Sequence, residues 1–231
     1  MTMGLRRSRA PRGSGDRLRQ EILDAATELL LETGQARAVS IRSVAQRVGV
    51  TPPSLYLHFA DKDTLLDAVC ARYLARLDGE MERAATGQPS TVDVLRAQGL
   101  AYVRFALQTP ELYRLATMGE WRSGSDVDLA LDSSAFQHMR ASVRALMDEG
   151  VYRVDDPTMI ALELWAAVHG VAALLITKPH LPFDDVEAFA DRVLSAVLCG
   201  HMVAGLAGRH ATSRQVLDWV MRHRSPEAAQ V

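Results

Sequence analysis

Residues 40–59 decide the fold, and they read SIRSVAQRVGVTPPSLYLHF. Ser40 is a residue type that caps helix N-termini, and Gly49 is the type that ends helices in the left-handed conformation. Thr51 then predicts a second N-cap, followed by Pro52 at the first helical position, where a missing N–H loses no intrahelical bond. The stretch therefore predicts two short helices joined by a three-residue turn, with the second helix continuing to the end of the quoted sequence.

The second of these helices has one buried and one exposed side. At about 100° per residue, Leu55 and Phe59 point into a core, whereas Ser54, Leu57 and His58 point away from it. An exposed leucine has little use on a plain surface, but in the major groove of DNA it can meet a thymine methyl. A helix fits that groove, and the first helix would cross the phosphate backbone behind it. The pattern indicates a helix-turn-helix.

Helical periodicity continues on both sides of this motif. The preceding helix carries one apolar stripe, formed by Ile22, Ala25, Ala26, Leu29 and Leu30, and Gly34 is placed to end it. Asp61 is placed to cap a longer helix that reaches residue 85. Further helices fit residues 94–107, 111–118, 129–149, 157–176, 184–205 and 213–223, and residues 119–128 form the loosest stretch. No alternating strand pattern is found, so we predict an all-α fold.

Charge is unevenly distributed along the chain. Residues 1–62 contain ten basic and six acidic groups, a balance of +4, whereas the remainder has a balance of −6. A basic head on an acidic body favours a polyanion as the partner of the head. Residues 1–16 are rich in Arg, Gly and Ser without an apolar stretch, which predicts a flexible basic arm rather than a signal peptide.

Other classes of protein find little support. Cys70 and Cys199 are far apart in helical patterns, which predicts neither a disulfide nor a metal site and fits the cytoplasm. The longest uncharged runs, residues 164–177 and 193–208, are too short to span a bilayer, so we interpret them as buried helices and expect no membrane partner. The chain has no GxSxG, HExxH, paired-cysteine or phosphate-loop motif, so we expect neither an enzyme nor a cofactor.

The motif also carries a family resemblance. Ser40–Ala45, Gly49–Thr51, Ser54–Phe59 and Lys62–Leu65 together resemble the N-terminal domain of TetR-type regulators. The resemblance covers residues 17–77, with the helix-turn-helix at about 40–59. It implies a helical DNA-binding domain in that range, made of three helices, and a larger helical domain for ligand binding and dimerisation at residues 78–231. Such a protein would be a sequence-specific regulator of transcription that binds double-stranded DNA.

The resemblance also implies roles for individual residues. Tyr56, His58 and Lys62 would contact phosphates, together with the free N–H groups at the start of the third helix. Arg42 would reach a base edge, and the base would be a guanine held by a bidentate contact. The full predicted DNA-binding set is Arg42, Thr51, Pro52, Pro53, Ser54, Tyr56, Leu57, His58 and Lys62. The tandem proline replaces a position that is often polar in this family, which favours shape and methyl contacts over polar readout of bases.

Two helices of the body have more apolar surface than one core requires. The helix at residues 157–176 is apolar almost all round, and the helix at 184–205 has a similar surplus. We predict that both pair with their copies in a twofold four-helix interface, which makes the protein a homodimer. The alternative is that they form the centre of a large monomeric core.

The body also offers candidates for a ligand pocket. Trp165, His169 and Gly170 match the Trp-x-x-x-His-Gly signature of one group of TetR-type C-terminal domains. The full candidate set is Tyr102, Phe105, Tyr113, Met118, Trp121, Phe136, Met139, Trp165 and His169. Side chains of these types at helical spacing also build ordinary cores, so each residue stays a candidate for either role.

These features lead to an expected function with one alternative. We expect a repressor that leaves a palindromic operator when a small, largely apolar effector binds to its body. The alternative is a DNA-binding regulator that a protein partner controls without any small-molecule ligand.

Overall fold

The computed structural model describes residues 14–118, 135–208 and 211–223, and in those ranges the chain is helical and contains no strand. The helices are α1 (Ser14–Thr33), α2 (Ile41–Val48), α3 (Pro52–Tyr56), α4 (Lys62–Ala85), α5 (Thr91–Gln108), α6 (Pro110–Met118), α7 (Ala135–Asp148), α8 (Pro157–Thr177), α9 (Val186–Ala207) and α10 (Ser213–His223). A single 3₁₀ turn, Ala36–Ala38, lies between α1 and α2. The all-α prediction is confirmed, whereas the stretch 119–128 and the beginning of the helix predicted from residue 129 lie outside the described residues.

Contacts divide the chain into two units, with the boundary inside α4. The N-terminal unit extends to Arg76 and also includes α6, and the C-terminal unit begins at Leu77 and contains α5 and α7 to α10. This division differs in one respect from the linear one drawn from the sequence, because α6 packs against α1 although seventy-six residues of chain separate them.

The N-terminal unit is built around the predicted apolar stripe of α1. Ile22 and Leu30 from this stripe are completely or almost completely buried, and so are Val44 of α2 and Leu55 of α3. Phe59 closes the same core, and the guanidinium of Arg19 lies 4.9 Å from the centre of its ring. Burial of these side chains holds the two short helices in place, because helices of eight and five residues are not stable alone in water.

Local chemistry fixes both ends of α2 as predicted. The Oγ of Ser40 accepts a hydrogen bond from the N–H of Ser43, and the Oγ of Ser43 accepts one from the N–H of Ser40, which makes a reciprocal capping box. At the other end, Gly49 has a φ of +76° and donates its N–H to the carbonyl oxygen of Ala45. The left-handed conformation is one that other residues rarely adopt, which explains the glycine.

The third helix differs from its prediction in two ways. It ends at Tyr56 rather than at Phe59, and the N–H groups of His58 and Phe59 both donate to the carbonyl oxygen of Leu55 as the chain turns. Thr51 stands at the N-cap, but its side chain bonds the Oγ of Ser54 instead of a backbone N–H. The usual targets are absent, because Pro53 has no N–H and the N–H of Ser54 donates to the carbonyl oxygen of Thr51.

The C-terminal unit packs α5, α7, α8 and α9 around a second core. Val143, Leu146, Leu164 and Leu198 are among its buried side chains. The two longest apolar helices begin at aspartate caps. The carboxylate of Asp156 accepts from the N–H of Thr158 at the start of α8, and Asp185 does the same for two N–H groups at the start of α9.

Helices α8 and α9 are long and apolar enough, by length and composition alone, to cross a membrane. Their most apolar 18-residue windows have mean hydropathies of 2.0 and 1.3, and 44% and 17% of those windows are buried. The apolar runs at residues 164–177 and 193–208 were both interpreted as buried helices. Within a single chain this interpretation is wrong for the second run, most of which lies in α9. Much of its apolar surface is left uncovered by the described residues.

Candidate nucleic-acid interface

The face formed by α2, α3 and the start of α4 carries the predicted DNA-binding side chains. Leu57 is 84% exposed and Tyr56 is 55% exposed, although both flank the completely buried Leu55. His58 is half-buried, and Phe59 is buried in the core. The inward and outward directions predicted from the helical period are thus confirmed. In this exposed position the leucine is available to contact a thymine methyl in a major groove.

Arg42 and Lys62 are the basic side chains of this face that have no partner among the described residues. Arg42 is exposed at the first turn of α2, and Lys62 is half-exposed at the start of α4. Neither side chain is held in a hydrogen bond or ion pair within the described part of the chain. Within the same described part of the chain, the side chains of Tyr56 and His58 make no hydrogen bonds either. Four groups that can donate to phosphate or to a base edge are therefore unoccupied.

Two other arginines of the N-terminal unit, Arg47 and Arg72, are engaged within it. Arg47 forms two parallel hydrogen bonds with the carboxylate of Glu32, at 2.8 and 2.6 Å, and a third contact with Glu28 at 3.3 Å. Arg72 bonds Asp24 and the hydroxyl of Thr27, both at 2.7 Å. These pairs tie α1 to α2 and to α4, so they hold the helix-turn-helix rather than a ligand.

The start of α3 does not offer the free backbone donors that the resemblance implied. Pro52 and Pro53 have no N–H, and the N–H of Ser54 donates to the carbonyl oxygen of Thr51 at 2.9 Å. The expectation of phosphate binding by N–H groups at this point is wrong, for a reason already contained in the tandem proline. The two proline rings are instead exposed, and they can contact sugars, methyl groups or the walls of a groove.

Comparisons with known proteins identify the family to which this chain belongs. Residues 22–69 match the family model of bacterial regulatory proteins of the tetR family, and residues 95–197 match the model of the tetracyclin repressor-like C-terminal domain. The tetracycline repressor protein class D of Escherichia coli is 30% identical over 176 residues, which are 73% of this chain and 74% of that protein. The chain belongs to the TetR family. It is a DNA-binding regulator of transcription.

Solved structures agree with this assignment. A protein of unknown function from Rhodococcus sp. RHA1 aligns with a TM-score of 0.71 at 27% identity, over 80% of this chain and 95% of that one. SmeT, the repressor of the Stenotrophomonas maltophilia multidrug efflux pump SmeDEF, aligns with a TM-score of 0.60 at 29% identity, over 79% and 89% of the two chains. Nucleoid occlusion factor SlmA of Serratia proteamaculans is a further relative, 25% identical over 72% of this chain and 89% of its own.

The body of this TetR-family regulator contains a small apolar cavity. Two of the candidates predicted from sequence line it, Tyr102 of α5 and Met139 of α7. The hydroxyl of Tyr102 lies 3.3 Å from the Nδ1 of His169, and the ring of His169 packs 5.3 Å from that of Trp165. Burial lowers the pKa of His169, because it disfavours the charged imidazolium. These three residues form one connected cluster next to the cavity.

The other candidates are distributed differently. Phe105 is buried in α5, and Phe136 is half-buried against the core of the C-terminal unit. Tyr113 is completely buried, and both it and the exposed Met118 belong to α6 in the N-terminal unit. Trp121 lies outside the described residues, as does most of the predicted basic arm.

Sequence reasoning missed the most unusual residue of the cavity, Gln98. This side chain is 5% exposed and lines the cavity from α5. A signal for it was available, since Leu95, Gln98, Tyr102 and Phe105 are spaced as one inward stripe of a helix. An amide at an inward position of such a stripe needs a hydrogen-bond partner, and that requirement marks it as a candidate binding group.

One cluster has residue types that ligate metals. Ligand atoms of Asp78, Glu82 and His138 lie within 4.8 Å of one another in the C-terminal unit. The imidazole directs Nδ1 to Asp78 at 3.2 Å and Nε2 to Glu82 at 3.5 Å. One ion can be bound by only one nitrogen of a histidine, so this arrangement is better described as a histidine between two carboxylates, which joins α4 to α7.

Proposed function

We propose that this TetR-family regulator is a homodimeric repressor that acts in the cytoplasm, binds a palindromic operator, and leaves it when a small, largely apolar effector binds. The observation that carries the proposal is the set of unoccupied polar groups on the face of α2 and α3. Lys62, Tyr56 and His58 are suited to phosphates, and Arg42 is suited to the O6 and N7 of a guanine. Leu57 supplies an apolar contact for a thymine methyl.

Support for the dimer comes from an uncovered stripe along α8. Leu162, Ala166, Gly170 and Leu174 follow one another at intervals of four residues and are all exposed. A Cβ built on Gly170 or on Gly200 of α9 would meet nothing within 4 Å, so the chain's own packing does not require either glycine. Small residues on a helix face allow a second helix to approach closely. A second copy that covers α8 and α9 gives a twofold interface and a reason for their hydropathy.

Repression and release by a small molecule are supported by relatives and by the body of the chain. Two similar proteins are repressors by name, the tetracycline repressor protein class D and SmeT. The apolar cavity lies in the unit that contains the dimer stripe. Successive major grooves are ~34–36 Å apart. In a dimer, an effector releases DNA if it binds better to a form whose two DNA-binding domains do not have this spacing. Helix α4 contributes residues to both units, which makes it the natural connection.

The experiment that tests the DNA-binding core of this proposal uses the purified protein and the DNA that flanks its gene. Fluorescence anisotropy over a salt series should give a nanomolar Kd that rises steeply with salt. Tyr56→Ala and Lys62→Ala should each weaken binding, whereas Arg83→Ala, which removes an exposed arginine from the C-terminal unit, is the matched control. Equal affinity for random DNA would contradict a sequence-specific operator in that region.

A protein partner in place of the effector is the second candidate. The space in the cavity that can hold the centre of a water-sized sphere measures only about 30 Å³, and SlmA, a relative named as a nucleoid occlusion factor, has a similar chain. The two candidates differ in what releases DNA. Small apolar compounds should raise the Kd for the operator if the first is right, and only a protein fraction of the host cell should do so if the second is right.

A further inference from the structure

The C-terminal unit buries one amide in apolar surroundings. Apart from the tyrosines, Gln98 is the one polar side chain that is buried among the described residues, with 5% of its surface exposed. Its carbonyl oxygen, Oε1, has no hydrogen-bond partner in that part of the chain. Buried polar atoms nearly always have a partner, because burial removes the water that would otherwise bind them. The described residues supply none for this oxygen.

The amide lines the cavity enclosed by α5, α8 and α9. Leu164 and Val168 of α8 and Leu194 of α9 form walls on either side of it. The space that can hold the centre of a water-sized sphere measures about 30 Å³, and the empty volume of the cavity measures about 420 Å³ when it is counted out to the solvent. The side chain that carries the unpaired oxygen therefore borders a space that another molecule can enter.

A water molecule alone is a poor occupant of this space. The space is large enough for one water molecule, but a buried water usually makes about three hydrogen bonds. Apart from Gln98, the walls offer the hydroxyl of Tyr102, which already lies 3.3 Å from the Nδ1 of His169. The remaining wall atoms are apolar side chains and a glycine. A molecule that pairs with one amide and is otherwise apolar matches these walls better than water does.

We infer that the cavity binds a neutral, largely apolar molecule with one hydrogen-bond donor, a hydroxyl or an N–H, that donates to the Oε1 of Gln98. The molecule is neutral because no charged side chain among the described residues lines the cavity, and an unpaired charge would be strongly disfavoured there. Met81 and Met139 form part of the walls, and methionines adapt to ligands of different shape. This inference rests on the proposed effector function, for which it names the chemical class.

The test uses three probes of similar size with the full-length dimer, in the absence of DNA. They are 4-propylphenol, which has a donor, its methyl ether, which has none, and 4-propylbenzoate, which is charged. Calorimetry should give the phenol roughly tenfold higher affinity than the ether, as expected for one buried hydrogen bond, and no binding of the benzoate. In Gln98→Met the phenol and the ether should bind equally. Gln108→Met, an exposed glutamine on the same helix, should keep the preference.

Melting of the empty protein gives a second readout. Gln98→Met replaces an unpaired amide with an apolar side chain of similar length, so its Tm should be higher than that of the natural protein. A lower Tm would mean that the amide is paired inside the protein, which overturns the inference. Equal affinities of phenol and ether for the natural protein, failure of both to bind, or a preference that survives in Gln98→Met would overturn it as well.

Failure of this inference and failure of the proposed function are separated by adding the operator. In one outcome, the preference for the phenol depends on Gln98 but the phenol does not dissociate the protein from the operator. The inference about the cavity is then supported, and the proposal that this class of molecule releases the operator is wrong. If another compound releases the operator equally from the natural protein and from Gln98→Met, the proposed function stands and the inference falls.

Discussion

The guanidinium of Arg47 donates two parallel hydrogen bonds, of 2.8 and 2.6 Å, to the carboxylate of Glu32, and so joins α2 to α1. This pair lowers the pKa of Glu32 and raises that of Arg47. Arg42, five residues earlier on α2, has no such partner in the described part of the chain. Two arginines of one short helix therefore have different tasks, one inside the protein and one available to DNA.

That difference predicts opposite results for two matched substitutions. Arg42→Ala should weaken operator binding roughly tenfold and relax the preference at one guanine position, because a base contact is lost. Arg47→Ala should leave base preference unchanged and lower the stability of the N-terminal unit instead. Anisotropy with a set of operators mutated one base pair at a time measures the first effect, and urea unfolding measures the second. A change of base preference in Arg47→Ala would contradict this division of roles.

Much of the structure of the N-terminal unit could be predicted from the sequence, because the residues that determine it interact with near neighbours in the chain. Ser40 and Gly49 set the ends of α2 through bonds that reach at most four residues along the chain. The direction of Leu57 followed from the helical period for the same reason. Pairing of Arg47 with Glu32 could not be predicted, since it depends on how α1 and α2 are packed. From sequence alone, Arg42 and Arg47 both look like surface arginines.

Errors in the sequence reading also have physical causes. The lack of free N–H donors at the start of α3 follows directly from the sequence, because Pro52 and Pro53 have no N–H. The early end of the helix at Tyr56 is different, since the inward positions Leu55 and Phe59 fit both a helix and the turn that forms. In the body, the inward spacing of Gln98 was readable, but the cavity beside it depends on α8 and α9, which lie more than fifty residues away in sequence.

The turn of the helix-turn-helix should be sensitive to a single methyl group. Gly49 has a φ of +76°, and a Cβ built on it would meet nothing within 4 Å, so the cost of Gly49→Ala is conformational rather than steric. We expect a loss of about 1 kcal/mol in the free energy of unfolding. Gly79→Ala, within α4 and also in open space, should instead add about 0.5–1 kcal/mol because alanine favours a helix. Urea titrations of both variants test the pair, and equal signs would refute the argument.

The proposed dimer predicts a position at which a charge separates the two copies. Gly170→Arg would put a long charged side chain in the middle of the exposed stripe of α8, where a second helix is expected to approach closely. Size-exclusion chromatography with light scattering should then give a monomer. Operator binding should also be weaker, because the two DNA-binding domains are no longer linked. The control is Gly79→Arg, which adds the same side chain to α4. A dimer that survives Gly170→Arg would remove α8 from the interface.

Acid should weaken the C-terminal unit through two histidines. Burial lowers the pKa of His169, and it lowers that of His201 against a smaller opposing effect of Glu163, whose carboxylate lies 3.3 Å away.

The unfolded chain has histidine pKa values of about 6.5, so below that pH it binds more protons than the folded chain, and stability falls as the pH falls. This contribution is fully present above about pH 6.5 and is lost as the pH falls from there through the folded pKa values. The urea midpoint should therefore be lower at pH 5.5 than at pH 7.5. The difference should shrink in a variant with both His169→Asn and His201→Asn, and it should persist in His180→Asn, which changes an exposed histidine. A pH dependence that the double variant leaves intact would assign it to other groups.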